Sequence, residues 1–269
     1  MTLTERISAL FEERRFVEAV ELARQRTREE PDDASFWWDL GVALKHAHLW
    51  PECLAACERA IALDPDDCAG PQWNSGIAAT ALGDWPRARA AWTSYGIDVP
   101  RGDGPLEMDI GNCCVRVFAG GNGEVVWCRR IDPCRARILS VPLPESDHRH
   151  GDIVLHDGEP RGKRGDATVF DELVLLERSC HATWSVEVTC KDAAERDELL
   201  ARFDDVDGGA EDWTESVVLL CQACSLGEPH DHEPPPEKRP WRVERRFGIA
   251  LADAREIARL GPVRATRLG

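Results

Sequence analysis

The sequence predicts an all-α stack of helical hairpins over residues 1–100 and an α+β domain of mainly antiparallel sheet over residues 106–269. Three observations predict it. Pro31, Pro65 and Pro100 close equivalent segments, 34 and then 35 residues apart. Within those segments apolar residues recur at helical spacing, with Trp37, Leu40 and Leu44 at i, i+3 and i+7. Beyond the Gly-, Pro- and Asp-rich stretch Tyr95–Pro105 the pattern changes to short runs separated by turn dipeptides.

Ser35–Pro65 is the clearest copy of the repeated unit. Trp37, Leu40 and Leu44 form one face of its first helix, and Gly41 lets the paired helix approach closely. Cys53, Cys57 and Ala60 belong to the second helix, and Pro65 cannot continue it. In the third copy Gly76, Ala88, Trp92 and Pro100 take the places of Gly41, Cys53, Cys57 and Pro65. In the first, Ala19, Ala23 and Pro31 do so, with Ile7 where the glycine belongs and Ala23 where an aromatic is usual. Such departures are expected of a terminal repeat.

Trp37, Leu40 and Gly41, followed by Ala60 and Pro65 at this period, resemble the tetratricopeptide repeat. Leu44 stands for its tyrosine, and Cys53 and Cys57 for its small and aromatic residues. The resemblance implies a concave groove lined mainly by the first helix of each repeat, with a protein or peptide as partner. Phe11, Trp38, Lys45, His46, Trp73, Ile77 and Thr80 take groove places. Trp38 and Trp73 each precede a repeat glycine by three residues. They suit either anchoring of a partner or packing between repeats or against the second domain. The family variant that clamps a C-terminal carboxylate needs repeated Lys/Arg and Asn on these faces. Only Lys45 and His46 are present, with Ala81 at the matching place of the next repeat, so that use is rejected.

In the second domain, Cys114–Phe118, Val125–Arg130, Ala136–Val141, Asp152–Leu155, Leu173–Glu177 and Thr183–Val188 read as short strands. Ala193–Phe203 reads as a helix burying Ala194, Leu199, Leu200 and Phe203. Trp213–Leu220 and Trp241–Leu251 read as strands, and Ala252–Leu260 as a closing helix. By pattern this last part resembles half of a ferredoxin-like fold.

Net charge is −16, with −7 in residues 1–100 and −9 in residues 101–269. A nucleic-acid partner is disfavoured, because phosphate neutralisation needs a basic footprint. A basic protein or peptide fits the field, although solubility alone also explains it. No apolar run approaches the ~20 residues of a membrane span. The amphipathic, acidic-rich N-terminus reads as neither a secretory signal nor a transit peptide. With eleven cysteines, reduced thiols in the cytoplasm are expected.

Four groups of residues could carry chemistry. Cys221, Cys224, His230 and His232 supply the thiolate and imidazole ligands of a structural tetrahedral zinc within a loop at residues 221–232. The alternative is a buried Cys221 with solvated histidines. Cys113, Cys114, Cys128 and Cys134 fall on neighbouring strands. Adjacent residues face opposite ways there, so only one of the first two can meet the others. Core cysteines are the expected reading. Cys180 and His181 are sequence neighbours that point apart in a strand, which disfavours a nucleophile pair. His148, His150, Asp152, His156, Asp157, Asp171 and Glu172 could hold a metal or run acid–base chemistry. The preferred reading is turn residues and solvated strand ends.

The sequence thus predicts a protein-interaction module that binds a partner protein or peptide through the repeat groove. Sequestering a basic partner, as immunity proteins do to toxins, is its concrete version. The competing class is a metal-dependent hydrolase acting through the His148–His156 cluster, with the repeats recruiting substrate.

Overall fold

The computed structural model describes residues 3–119, 122–216 and 240–268, the side chains of residues 118, 119, 122, 215 and 216 excepted. It divides into two compact units, Met1–Met108 with Asp132–Cys134, and Asp109–Ile131 with Arg135–Gly269.

Six helices build the first unit: α1 (Leu3–Glu12), α2 (Phe16–Glu29), α3 (Ala34–His46), α4 (Trp50–Leu63), α5 (Ala69–Ala81) and α6 (Trp85–Tyr95). They pair as three tetratricopeptide-type hairpins, and the period is written into the backbone. Arg14, His48 and Gly83 all take the left-handed conformation at the hairpin turn. Behind each, the same capping hydrogen bond closes the first helix. Arg15 N–H donates to Leu10 O at 2.8 Å, Leu49 to Leu44 at 2.9 Å and Asp84 to Ala79 at 2.9 Å. Asp33 and Asp84 cap α3 and α6 through their carboxylates.

Size matching packs each hairpin. A Cβ on Gly41 would lie 2.7 Å from Cys57 Sγ, and one on Gly76 would lie 2.6 Å from the Trp92 indole. Glycine on one helix therefore makes room for the bulky group on the other. In the first repeat the sizes at the corresponding places are reversed, with the large Ile7 on the first helix and the small Ala23 on the second, both buried. Cys53 Sγ adds a 3.3 Å hydrogen bond to Gly41 O.

The second unit contains two sheets. In the first, β1 (Gly111–Ala119), β2 (Asn122–Arg130), β3 (Arg135–Ile138) and β4 (Ile153–His156) pair antiparallel in order, and β6 (Ala167–Glu177) follows β4. The early part of β6 returns to pair in parallel with β1, through Cys114↔Val169 to Arg116↔Asp171, closing a five-stranded barrel. The short β5 (Gly162–Arg164) adds to β6. Alternate residues Cys113, Val115, Val117, Val126, Cys128, Ala136, Ile138, Val154 and Phe170 fill the interior.

The second sheet contains β7 (Ala182–Thr189), β8 (Gly208–Asp212), β9 (Glu244–Leu251) and β10 (Arg264–Arg267), in the order β10-β7-β9-β8. Helix α7 (Ala193–Ala201) links β7 to β8, and a 3₁₀ helix, Ala254–Leu260, links β9 to β10. This is the complete βαββαβ topology of ferredoxin-like folds, where the sequence pattern suggested half of one. Val186, Phe203, Phe247, Ile249 and Leu260 lie in its core.

Three sequence expectations change. Trp213–Ser216 is the helical turn α8, and the preceding Gly208–Asp212 forms the strand. Its glycines hide it from propensity, yet a Cβ on Gly208 would lie 1.9 Å from Ala250 O, so pairing here needs glycine. The closing helix is 3₁₀ rather than α. Ala194 is exposed on α7, whose inner side is Leu199 and Leu200.

Candidate functional site

On the repeats, the first helices bring part of the expected groove set together. Phe11 meets His46 edge-on at 5.7 Å, and His46 stacks on Phe16 at 4.9 Å. Trp38 is half-buried with its indole against Gly70 of the next repeat, where a Cβ would come within 2.7 Å. Trp73 is also half-buried, edge-on to Trp92 at 5.0 Å and Tyr95 at 4.9 Å. Neither tryptophan is sealed inside the stack.

The remaining groove residues are enclosed. Lys45, Ile77 and Thr80 are buried. Lys45 Nζ donates to Asn74 Oδ1 at 3.2 Å, linking α3 to α5. Asn74, two residues before the repeat glycine, was missed by sequence reasoning; the apolar period gave no sign of it. Its Nδ2 and the Thr80 hydroxyl are buried without a hydrogen-bond partner.

The polar cluster expected around His148–His156 divides into separate places. His148 Nε2 meets Glu172 Oε1 at 2.7 Å, and its Nδ1–H donates to Ser146 O at 2.6 Å. Burial pushes this imidazole down, but the Glu172 hydrogen bond and charge, with Ser146 O and Asp152, outweigh it and hold His148 above its ordinary value. His150 lies edge-on to His181 at 5.1 Å, and His181 Nε2 meets Asp207 at 3.0 Å. Burial, then the neighbouring His181, lowers His150. His156 is enclosed, stacked on Phe170 at 4.6 Å, with both ring nitrogens unpartnered. Burial first, then Arg130, holds it well below its usual value.

Asp152 binds backbone rather than solvent. It is fully buried and accepts from Arg149 N, Ser179 N and Arg178 Nη1 at 2.9, 2.7 and 3.1 Å. Asp171 is bound by the buried Arg116 at 2.8 Å.

Two further acids belong to this region, Glu124 beside His148 and Glu211 beside Glu124. Glu124 on β2 accepts from Leu143 N at 3.0 Å, and burial, despite that bond, pushes it up to about 7. Glu211 on β8 adds repulsion to Glu124 and is itself raised by burial. A signal for Glu124 existed: it shares strand parity with the core residues Val126 and Cys128. Glu211, in a Gly-Gly-Ala context, carried none.

Among the described residues no three His, Cys, Asp or Glu side chains converge to hold a metal ion. Cys113 lies opposite Cys128 across β1 and β2, Cys114 takes the alternate face, and Cys180 is exposed. Cys221, Cys224, His230 and His232 lie outside the described residues. No described helix is long and apolar enough to cross a membrane.

No family model and no curated protein matches the chain. Among solved structures it is similar to the TPR2B domain of yeast Sti1 in complex with an Hsp70 peptide, at 20% identity and a TM-score of 0.33. That match covers 35% of this chain and 74% of the other. It is also similar to the TPR2AB domain of yeast Sti1 in complex with an Hsp90 peptide, at 20% identity and a TM-score of 0.33, covering 35% of this chain and 36% of the other.

Proposed function

We propose that this protein binds a partner protein or peptide through the first-helix faces of its repeats. The observation that carries the reading is the set Phe11, His46, Trp38 and Trp73, all half-buried and steadied by ring or helix contacts. Aromatic side chains already ordered lose little rotamer freedom on binding, so more of their contact energy goes into affinity. The partner is basic in this reading, because the chain carries a net charge of −16. Sequestration of such a partner, in the manner of an immunity protein, is the biological form proposed.

The test is recovery of partners on the tagged full chain, comparing the wild type with Trp38→Ala and Phe11→Ala. Thermal unfolding confirms that the variants are folded. Loss of the same partner from both supports the reading, and undiminished recovery overturns it.

A structural zinc bound by Cys221, Cys224, His230 and His232 belongs to the same proposal. Metal analysis of the dialysed chain should give one zinc, lost in Cys221→Ser and Cys224→Ser.

A further inference from the structure

Cys113 and Cys128 stand directly opposite one another in the antiparallel β1–β2 ladder. Both side chains point into the barrel beside Val115, Val126 and Ile138, and both thiols are free. Opposed residues in such a ladder have Cα atoms about 4.5 or 5.5 Å apart, according to the hydrogen-bonding of the pair. Either separation falls within the roughly 4.4–6.8 Å that a disulfide spans. Joining the sulfurs therefore requires no change of strand register.

The surroundings favour reaction at Cys113. Its thiol shares a hydrogen bond with Cys128, and this bond, with the Arg130 guanidinium against the opposing effect of burial, holds Cys113 below the usual thiol range. Arg130 shares strand parity with Cys128 and lies 4.8 Å from the Phe170 ring centroid in the barrel. Burial raises Cys128, which therefore suits the role of resolving thiol. Both cysteines are almost fully enclosed, so a small oxidant is required.

We propose that Cys113 and Cys128 form a dithiol oxidised by hydroperoxides to a disulfide across β1 and β2. The Cys113 thiolate attacks one peroxide oxygen; the O–O bond breaks, hydroxide leaves and Cys113 becomes a sulfenic acid. The Cys128 sulfur then attacks the Cys113 sulfur. The S–O bond breaks and water departs with the Cys128 proton. Two thiols become one disulfide, and one hydrogen peroxide becomes two waters.

The experiment exposes the native full chain to hydrogen peroxide, alkylates the remaining thiols after unfolding, and maps peptides by mass spectrometry. The expected product joins the peptides bearing Cys113 and Cys128, two hydrogens lighter than the reduced pair, and a dithiol reductant reverses it. It is lost in Cys113→Ser and Cys128→Ser and kept in Cys114→Ser. Exposed Cys180 reports that the oxidant has acted. Full alkylation of Cys113 and Cys128 when Cys180 is oxidised overturns the proposal, as does a linked peptide that survives Cys113→Ser. Should the serine variants not fold, fragmentation of the wild-type and Cys114→Ser products locates the bond.

Discussion

In the repeat unit, buried positions are held by complementary size: glycine against sulfur at Gly41–Cys57, glycine against indole at Gly76–Trp92. In the sheet unit, charge accompanies the apolar packing. Arg245 with Asp212, Arg116 with Asp171, and His148 with Glu172 are ion pairs in which at least one member is buried. Asp152 is enclosed by three donors. The difference teaches where each property resides. The first unit offers ordered aromatic surface, and the second concentrates the groups whose protonation is displaced by their surroundings.

Breaking a charge pair should have the largest effect. Asp212→Ala takes a carboxylate away from the buried Arg245, and a loss of about 3–5 kcal/mol is expected from urea unfolding. The size-matched packing responds next. Gly76→Ala gains helix propensity, about 1 kcal/mol, but drives a methyl into the Trp92 ring, an overpacking cost of about 1–3 kcal/mol. A net loss is expected in thermal denaturation. A stabilised variant would show that Trp92 can move aside.

The titrating groups give a direction with pH. Glu124 in the folded chain stands at about 7, above its ordinary value of 4.5. Its penalty is absent below the unfolded value and fully developed above the folded one, so stability falls as pH rises between them. His148 is raised from 6.5, and its contribution is present below the unfolded value and lost as pH rises through the folded one. Both act in the same sense. His150 and His156, lowered by burial from 6.5, act in the opposite sense, so Glu124 is read by difference: from about pH 5.5 to about pH 8 the denaturant midpoint of the wild type should fall further, or rise less, than that of Glu124→Gln. Parallel profiles for the two chains would show that Glu124 does not titrate there.

The smallest effect is expected at an exposed apolar position of the repeats. Val17 is 69% exposed on α2, and Val17→Ser should change stability by less than about 0.5 kcal/mol. A larger loss in urea unfolding would mean that this face is covered.

The repeat unit was legible because its contacts are local and recur. Each hairpin supplies its own turn and closing proline, and the second and third a packing glycine, so residue spacing alone displays the unit. The sheet unit was legible where apolar runs are bounded by turn residues, as at Cys114–Phe118, Val125–Arg130 and Asp152–Leu155. β8 escaped because glycine serves close backbone approach at Ala250 rather than strand propensity. β10 is a short edge strand whose partner β7 lies far back in the chain, and β5 is a three-residue edge strand in a tight hairpin with β6. The candidate polar site was legible as composition but not as geometry. His148, His150 and His156 stand close in sequence, yet each meets a different neighbour.

The sequence by itself determined the three hairpins, their boundaries and the acidic field, since all of these follow from short-range spacing and charge. Only the tertiary structure decided that β6 returns to close a barrel on β1, that Cys113 rather than Cys114 meets Cys128, and that Glu124 neighbours both His148 and Glu211. Those outcomes depend on strand register between distant segments, and a shift of one residue would reverse every face involved.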